Sequence, residues 1–201
     1  MGKTSKRIFD LIISISGLLL ISPFIIITAI IIKFQDHGPI FYKAPRTGLK
    51  GAPILMYKFR TMIPDADKYG PSSSPKSDMR VTPIGRYLRR YKFDELPQLF
   101  NVLTGSMSII GPRPEEKKFT DMFSEKEKKI LSVKPGITDW ASIWNSNESE
   151  LLDGADDPDG YYLKYIRPEK LRLQLLYAEN HNFFIDLKIF FLTLRKIFIK
   201  R

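Results

Sequence analysis

The sequence contains no cysteine, and histidine occurs only at His37 and His181. Without cysteine there is no disulfide bond, no thiolate metal site and no thiol nucleophile. With two histidines far apart in the sequence, we expect neither a histidine-based zinc site nor a Ser-His-Asp triad. Nucleophilic and acid–base chemistry therefore has to come from Asp, Glu, Lys or Tyr side chains.

Negative charge is also scarce relative to positive charge. The 201 residues include 32 Lys and Arg against 22 Asp and Glu, which gives a net charge of +10. Such an excess predicts an anionic partner, and three classes fit: nucleic acid, a phosphorylated substrate or an anionic lipid surface. The length allows one sizeable hydrophobic core.

Residues 11–32 form a run without any charged side chain. At about 1.5 Å per residue, a helix of this length can cross a hydrocarbon core of about 30 Å. Ser22 and Pro23 lie in its middle, where proline removes the hydrogen bond to the Leu19 carbonyl and kinks the helix. The Ser22 hydroxyl can satisfy a carbonyl freed by that break, which a membrane interior requires.

The charges around this run predict its topology. Basic residues lie on both flanks, before it at Lys3, Lys6 and Arg7 and after it at Lys33, Lys43, Arg46 and Lys50. Because basic flanks stay preferentially in the cytoplasm, we predict a re-entrant helix broken at Ser22 and Pro23, with both ends inside. A kinked single-pass helix remains the alternative.

Residues 40–43 and 54–61, separated by a turn rich in proline and glycine, predict a β-hairpin. The side-chain period of two places Lys58 and Arg60 on the same face of the second strand. This pair of cations is either an anion-binding feature or an ordinary exposed strand face.

The segment of residues 82–105 carries several cations and then the carboxylate pair Asp94 and Glu95. It predicts a helix with Asp94 as N-cap, Pro97 in the first turn and Gly105 as the C-terminal stop. Cations, carboxylates and a helix N-terminus at one place suit phosphoryl transfer. The simpler alternative is a helix cap beside a solvated basic face.

Three segments after residue 105 have predictable local structure. Pro112 and Pro114 enclose Arg113 in a stiff loop that presents a preset guanidinium. Residues 115–131 predict a charged helix. Residues 183–201 predict a basic, aromatic-rich helix that either lies in a membrane interface or packs on the core.

Several short motifs occur in an order that resembles the small monotopic phosphoglycosyl transferases, also called bacterial sugar transferases. The resemblance covers nearly the whole chain, and the motifs together are specific although each alone is weak. They are Lys58-Phe-Arg-Thr-Met62, Thr82-Pro-Ile-Gly-Arg86, Asp94-Glu-Leu-Pro-Gln98, Asn101-Val-Leu103, Met107-Ser108, Gly111-Pro-Arg-Pro114 and Pro135-Gly-Ile-Thr138.

The resemblance implies a chemistry for these residues. A UDP-sugar gives its phosphosugar to undecaprenyl phosphate, UMP is released and Mg²⁺ is used. Asp94 is expected to attack the β-phosphate and form a covalent phosphosugar-enzyme. Glu95 is expected to bind Mg²⁺ or handle the proton, and which of the two carboxylates contacts the metal is left open. The expected phosphate and nucleotide ligands are Lys58, Arg60, Arg86, Pro112, Arg113 and Pro114.

The resemblance also sets expectations for architecture and location. We expect an α+β, mainly helical chain with a re-entrant membrane helix in residues 1–36 and a catalytic domain in residues 37–201. This domain would carry a small β-hairpin and amphipathic interfacial helices around the catalytic helix, on the cytoplasmic face of the bacterial inner membrane. The expected partners are the UDP-sugar, undecaprenyl phosphate and the phospholipid membrane, without nucleic acid. Whether the chain acts alone or as a homodimer is left open.

Two positions depart from the family pattern. Asp139 stands where glycine is common after Pro-Gly-Ile-Thr, and Gln174 stands where an acidic residue is common. Both lie away from the Asp94–Glu95 pair in the sequence, so they bear on sugar identity more than on reaction type. Two rival functions remain: a non-catalytic basic membrane module, and a transferase that uses direct displacement without a covalent intermediate.

Overall fold

A computed structural model describes residues 3–70, 77–145, 151–153 and 155–199, and the predicted mainly helical α+β architecture is confirmed. The helices there are α1 (Lys3–Asp36), α2 (Pro83–Arg90), α3 (Gln98–Thr104), α4 (Lys117–Thr120), α5 (Trp140–Trp144), α6 (Pro158–Tyr161), α7 (Arg167–Asn180) and α8 (Phe183–Ile199). The strands are β1 (Phe41–Thr47), β2 (Pro53–Phe59), β3 (Ser108–Ile110) and β4 (Gly136–Thr138).

Helix α1 has 34 residues and remains helical through Ser22 and Pro23, where the sequence predicted a break. The Ser22 hydroxyl donates a 2.9 Å hydrogen bond to the Leu19 carbonyl, the group that Pro23 leaves without its usual partner. The predicted role of Ser22 is therefore confirmed. Within the described part of the chain, α1 is the one helix long and apolar enough to cross a bilayer.

One side of α1 packs on the rest of the protein along most of its length. Near the start, the Arg7 guanidinium donates to the Val102 carbonyl at 2.6 Å. In the middle, the rings of Phe24 and Phe93 lie 4.9 Å apart, and near the end Ile32 is only 1% exposed. The opposite side presents exposed aliphatic residues, namely Ile8, Ile12, Ile15, Leu19, Leu20, Ile26, Ile27, Ile30 and Ile31.

The predicted β-hairpin is confirmed, with β1 and β2 antiparallel and Phe41 opposite Phe59. The buried side chain of Asn101 on α3 fixes this hairpin to the helix. Its amide nitrogen donates to the Leu55 carbonyl at 2.7 Å, and its amide oxygen accepts from the Tyr57 amide at 2.9 Å. Strand β2 therefore has a defined position beside α3.

The central helix differs from the sequence prediction at its start. Asp94 is not its N-cap: α3 begins at Gln98, and Asp94 lies in a short 3₁₀ turn, Phe93–Glu95, without a capping hydrogen bond from its side chain. Lys92, in the left-handed conformation with φ of 59°, turns the chain into this segment. The predicted stop at Gly105 is confirmed by its φ of +86°.

Strands β3 and β4 form a short parallel pair that the sequence did not predict. They approach closely where Gly111 meets Gly136: a Cβ atom on Gly136 would lie 2.1 Å from the Gly111 nitrogen. Glycine is therefore required at this crossing. The loop of residues 112–114 leaves directly from it, and the Gly136 amide donates to the Pro112 carbonyl at 3.0 Å.

The single charged helix predicted for residues 115–131 is wrong. The structure has the short helix α4 and a separate 3₁₀ segment, Glu127–Ser132. Ser124 and Glu127 form a reciprocal capping box, in which the Ser124 amide donates to the Glu127 carboxylate at 2.7 Å and the Glu127 amide to the Ser124 hydroxyl at 3.3 Å. This local signal starts a new helical segment.

Helix α8 packs on the core, which is one of the two arrangements considered from the sequence. Ile189 is fully buried in the core shared with α1, β3 and α7. Phe184 and Phe191 on the other side are 81% and 62% exposed. The helix thus packs on the core and leaves an apolar face uncovered.

Candidate active site

The carboxylates Asp94 and Glu95 lie where three elements meet. The 3₁₀ turn that carries them is preceded by α2 and followed by α3. Strand β2 contributes Lys58 from one side, and the loop after β3 contributes Arg113 from another. The sequence-predicted residues Asp94, Glu95, Lys58 and Arg113 are therefore brought together.

Glu95 is held by two cations. The Lys58 ammonium group donates to its carboxylate at 3.0 Å, and the Arg113 guanidinium donates to the same oxygen. Burial alone would favour the neutral acid, but Arg113 and Lys58 outweigh it and hold the pKa of Glu95 well below its usual range. Glu95 is therefore ionised at physiological pH.

Asp94 has the opposite character. Its side chain is buried, with 6% of the residue exposed, and burial together with the adjacent charge of Glu95 raises the pKa of Asp94. The cations Lys58, Lys92 and Arg89 act against this shift. Two neighbouring carboxylates with pKa values moved in opposite directions are typical of a site that assigns them different roles.

Arg89 was missed as a site residue by the sequence reasoning, which chose Arg86. Arg86 is exposed on α2, whereas the partly buried Arg89 lies near enough to Asp94 to lower its pKa. The Arg89 Nε atom donates to the Thr61 hydroxyl at 2.9 Å. Arg89 is one helical turn from Gly85, whose close approach to the Thr61 carbonyl turns this side of α2 toward the site, and this approach is visible only in the folded chain.

Arg60 does not share the contact of Lys58 with Glu95. It is 6% exposed, donates to the Asp36 carboxylate at 2.6 Å and to the Pro39 carbonyl at 2.6 Å. The structure thus places Arg60 at the end of α1, where it fixes that helix to the hairpin.

The backbone of the Pro112–Arg113–Pro114 loop is tied to the two positions that depart from the family pattern. The Arg113 amide donates to the Asp139 carboxylate at 3.2 Å, and the Gln174 amide group donates to the Arg113 carbonyl at 3.2 Å. Asp139 and Gln174 also contact each other, with the Gln174 amide 3.1 Å from the carboxylate. Residues that are far apart in sequence therefore meet behind Arg113.

The donor set at this site fits Mg²⁺. No group of three His, Cys, Asp or Glu side chains suited to a metal occurs within the described residues. Mg²⁺ is, however, commonly bound by one or two carboxylates with the remaining positions filled by substrate phosphates and water. Asp94 Oδ1 is buried and has no hydrogen-bond partner among the described residues, so the pair Asp94 and Glu95 offers oxygen ligands of this kind.

Comparison with known proteins identifies the family. A model described as "Bacterial sugar transferase" matches residues 1–200. The uncharacterized sugar transferase EpsL of Bacillus subtilis (strain 168) is 37% identical over 194 residues, which are 96% of this chain and 87% of that protein.

Two longer relatives have more informative names. The UDP-glucose:undecaprenyl-phosphate glucose-1-phosphate transferase of Escherichia coli (strain K12) is 36% identical over 207 residues, covering 100% of this chain and 42% of that protein. The UDP-N-acetylgalactosamine-undecaprenyl-phosphate N-acetylgalactosaminephosphotransferase of Aeromonas hydrophila is 34% identical over 195 residues, covering 96% and 43%. The chain spans less than half the length of these two relatives.

Proposed function

The chain belongs to the bacterial sugar transferase family, and on that basis we propose that it transfers a sugar 1-phosphate group from a UDP-sugar to undecaprenyl phosphate and releases UMP. The product would begin the assembly of a surface glycan or a glycoprotein oligosaccharide. The observation that carries the proposal is the buried Asp94, free of a capping role, next to an ionised Glu95 and surrounded by Lys58, Arg89 and Arg113.

In the first step, an Asp94 carboxylate oxygen attacks the β-phosphorus of the donor. A bond forms between this oxygen and phosphorus, and the bond from phosphorus to the bridging oxygen breaks. UMP leaves with that oxygen and its electron pair, and the phosphosugar remains on Asp94 as an acyl phosphate.

In the second step, a phosphate oxygen of undecaprenyl phosphate attacks the same phosphorus. The bond to Asp94 breaks and the carboxylate is restored. Dividing the transfer in this way allows a water-soluble donor and a lipid acceptor to use the same phosphorus site in turn.

The carboxylate pair Asp94 and Glu95 forms a dyad, and the cations around this dyad stabilise the charge that develops on the phosphates. Lys58, Arg89 and Arg113 are held by contacts within the protein and need little reorganisation when the donor binds. Mg²⁺, held by Asp94 or Glu95 together with donor phosphates, would add further charge neutralisation. Because Glu95 keeps Lys58 and Arg113 in place, it is also a positioning group for these cations.

We further propose that α1 is re-entrant, with residues 37–201 on the cytoplasmic face of the inner membrane. Contacts at Arg7, Phe24 and Ile32 support this topology. A spanning helix would carry one of its halves away from residues 37–201, which we call the catalytic body. Basic residues on both flanks favour the cytoplasmic side. The exposed aliphatic face of α1 would then contact lipid, which brings the acceptor to the site.

A nucleotide-release assay tests the function. Purified full-length protein is incubated with a panel of UDP-sugars, undecaprenyl phosphate and Mg²⁺, and UMP is measured. We expect release with at least one donor and none for the Asp94→Asn variant. A donor labelled in its sugar, added without acceptor, should leave label on the protein. Release without trapped label would favour direct displacement, and no release with any donor would contradict the proposal.

A further inference from the structure

Asp139 is a fully buried carboxylate whose two oxygens serve different neighbours. One oxygen accepts from the Ser142 amide and the Ser142 hydroxyl, both at 2.7 Å, and so caps α5. The other oxygen accepts from the Arg113 amide at 3.2 Å and from the Gln174 side chain at 3.1 Å. Capping needs only the first oxygen, so the second set of contacts requires a separate explanation.

Those contacts fix the backbone of Arg113 on both of its polar groups. Its amide donates to Asp139, and its carbonyl accepts from the Gln174 side chain at 3.2 Å. Proline on each side restricts the φ angles of the loop. The backbone position of Arg113 is therefore fixed by the buried side chains of Asp139 and Gln174. Gln174 is only 1% exposed.

The other end of the Arg113 side chain reaches the dyad. Its guanidinium donates to the Glu95 carboxylate, which also accepts from Lys58. A shift of the loop would change where this guanidinium lies relative to Glu95 and to a phosphate bound there. Displacements of about 1 Å in such groups cost about 100-fold in rate.

We propose that Asp139 and Gln174 are positioning residues for Arg113 and thereby for the phosphate site beside Glu95. The proposal rests on the proposed function for its catalytic consequence, but its structural part concerns hydrogen bonds that exist without substrate. Neither residue touches the dyad, and both act through the backbone of Arg113.

The isosteric substitution Asp139→Asn separates positioning from capping. Asparagine keeps an oxygen for the Ser142 amide and is a good N-cap. Its NH₂ group then faces the Arg113 amide and the Gln174 amide, which are donors themselves, so those contacts are lost. We expect UMP release to fall about 10- to 100-fold. The matched control Ser142→Ala removes only the hydrogen bond from the Ser142 hydroxyl to Asp139. Its rate of UMP release should stay within about twofold of the parent, because the contacts to Arg113 are unchanged.

A double-mutant cycle on UDP affinity asks whether Asp139 acts through Arg113. In the parent protein, Asp139→Asn should weaken UDP binding. In an Arg113→Ala background it should have almost no further effect, because the group that it positions is gone. Equal losses in both backgrounds, or a loss in Ser142→Ala as large as in Asp139→Asn, would overturn the proposal.

Hydrogen exchange provides a measurement that needs no substrate. In residues 111–114 only Gly111 and Arg113 carry a backbone N–H, and the Gly111 amide is bonded to the Thr138 carbonyl. Faster exchange of the Arg113 amide in Asp139→Asn, without faster exchange in Ser142→Ala, supports the proposal, and unchanged exchange refutes it. If Asp139→Asn does not fold, Gln174→Met tests the same contacts by its loss of both donated hydrogen bonds. A parent protein that releases no UMP but shows the expected exchange would refute the proposed function and leave the positioning of Arg113 supported.

Discussion

The N-terminal half of α1 is held in place by charged contacts that a spanning arrangement would break. Lys6 pairs with the buried Asp186 at 2.6 Å, and Arg7 donates to the Val102 and Leu103 carbonyls at 2.6 and 2.7 Å. Separating a buried ion pair costs about 3–5 kcal/mol. Each hydrogen bond to a charged group contributes about 1.5–3 kcal/mol. These contacts should keep the N-terminus beside the catalytic body.

Pro23→Leu opposes this anchoring by restoring the helical hydrogen bond to Leu19. A proline inside a helix costs about 3 kcal/mol, so its removal favours a straight, spanning helix by no more than that amount. Because the anchoring contacts are worth more, we expect Pro23→Leu alone to leave the topology unchanged. Adding Lys6→Ala and Arg7→Ala removes the contacts and two basic flanking charges, so the triple variant should have a mixed topology.

Cysteine labelling measures the outcome, and the absence of native cysteine makes it specific. A cysteine at Ser5 reports the N-terminus, and a cysteine at the exposed Lys117 on α4 reports the catalytic body. With a membrane-impermeant maleimide outside intact cells, both should stay unlabelled in the parent and in Pro23→Leu. Only the Ser5→Cys site should become partly labelled in the triple variant, and lysis should expose both.

Two results would refute this reasoning. Labelling of Ser5→Cys from outside in the otherwise unchanged protein would replace the re-entrant helix with a single-pass helix. A triple variant that stays fully protected would show that the Lys6 and Arg7 contacts do not determine the topology.

Three further predictions concern the site and its support. Asp94→Asn should abolish UMP release, and Glu95→Gln should leave at most a small residue of activity; near-normal turnover of the Asp94 variant would remove it as the nucleophile. Because burial and Glu95 raise the pKa of Asp94, while the pKa of Glu95 is lowered, kcat/KM for the donor should fall on acidification at a pH above the usual Asp value of about 3.9. An acid limb at or below that value would contradict the assignment. Arg60→Ala should lower stability by about 1.5–3 kcal/mol in denaturant unfolding, because it removes charge-assisted hydrogen bonds to the partly exposed Asp36 and to the Pro39 carbonyl, and it should leave the donor KM unchanged. The control is Lys117→Ala, which breaks the exposed pair of Lys117 with Asp121 and should change stability little. If Arg60→Ala instead raises the donor KM without lowering stability, Arg60 is a phosphate ligand.

Features with a local cause could be predicted from the sequence. Apolar length predicted α1, alternation with a turn predicted the hairpin, and the chemistry of proline and serine predicted the hydrogen bond of Ser22. The pairing of β3 with β4 could not be found, since each strand has three residues and the contact depends on Gly111 meeting Gly136 across the fold.

The differences between the predicted and observed surroundings of the site have a similar origin. The N-cap rule for Asp94 considers only its own segment, whereas Lys58 and Arg113 come from distant segments and surround the dyad with cations. The choice of Arg86 over Arg89 required knowing which side of α2 faces Thr61. Lys58 lies on β2 and Arg60 directly follows it, but Arg60 pairs with Asp36 at the end of α1, a contact that the strand pattern does not reveal.

Helix α1 contributes to two hydrophobic cores of the catalytic body. Its Phe9 and Ile13 pack on one core and its Ile32 packs in another with Phe59, while the Asp10 carboxylate accepts from the Ser108 hydroxyl and the Ile109 amide, both at 2.9 Å. We expect a recombinant fragment that starts after residue 36 to expose these apolar surfaces to water and therefore to aggregate. Purification should therefore retain the full chain, with detergent or a nanodisc covering only the outward stripe of α1 and the aromatic side of α8.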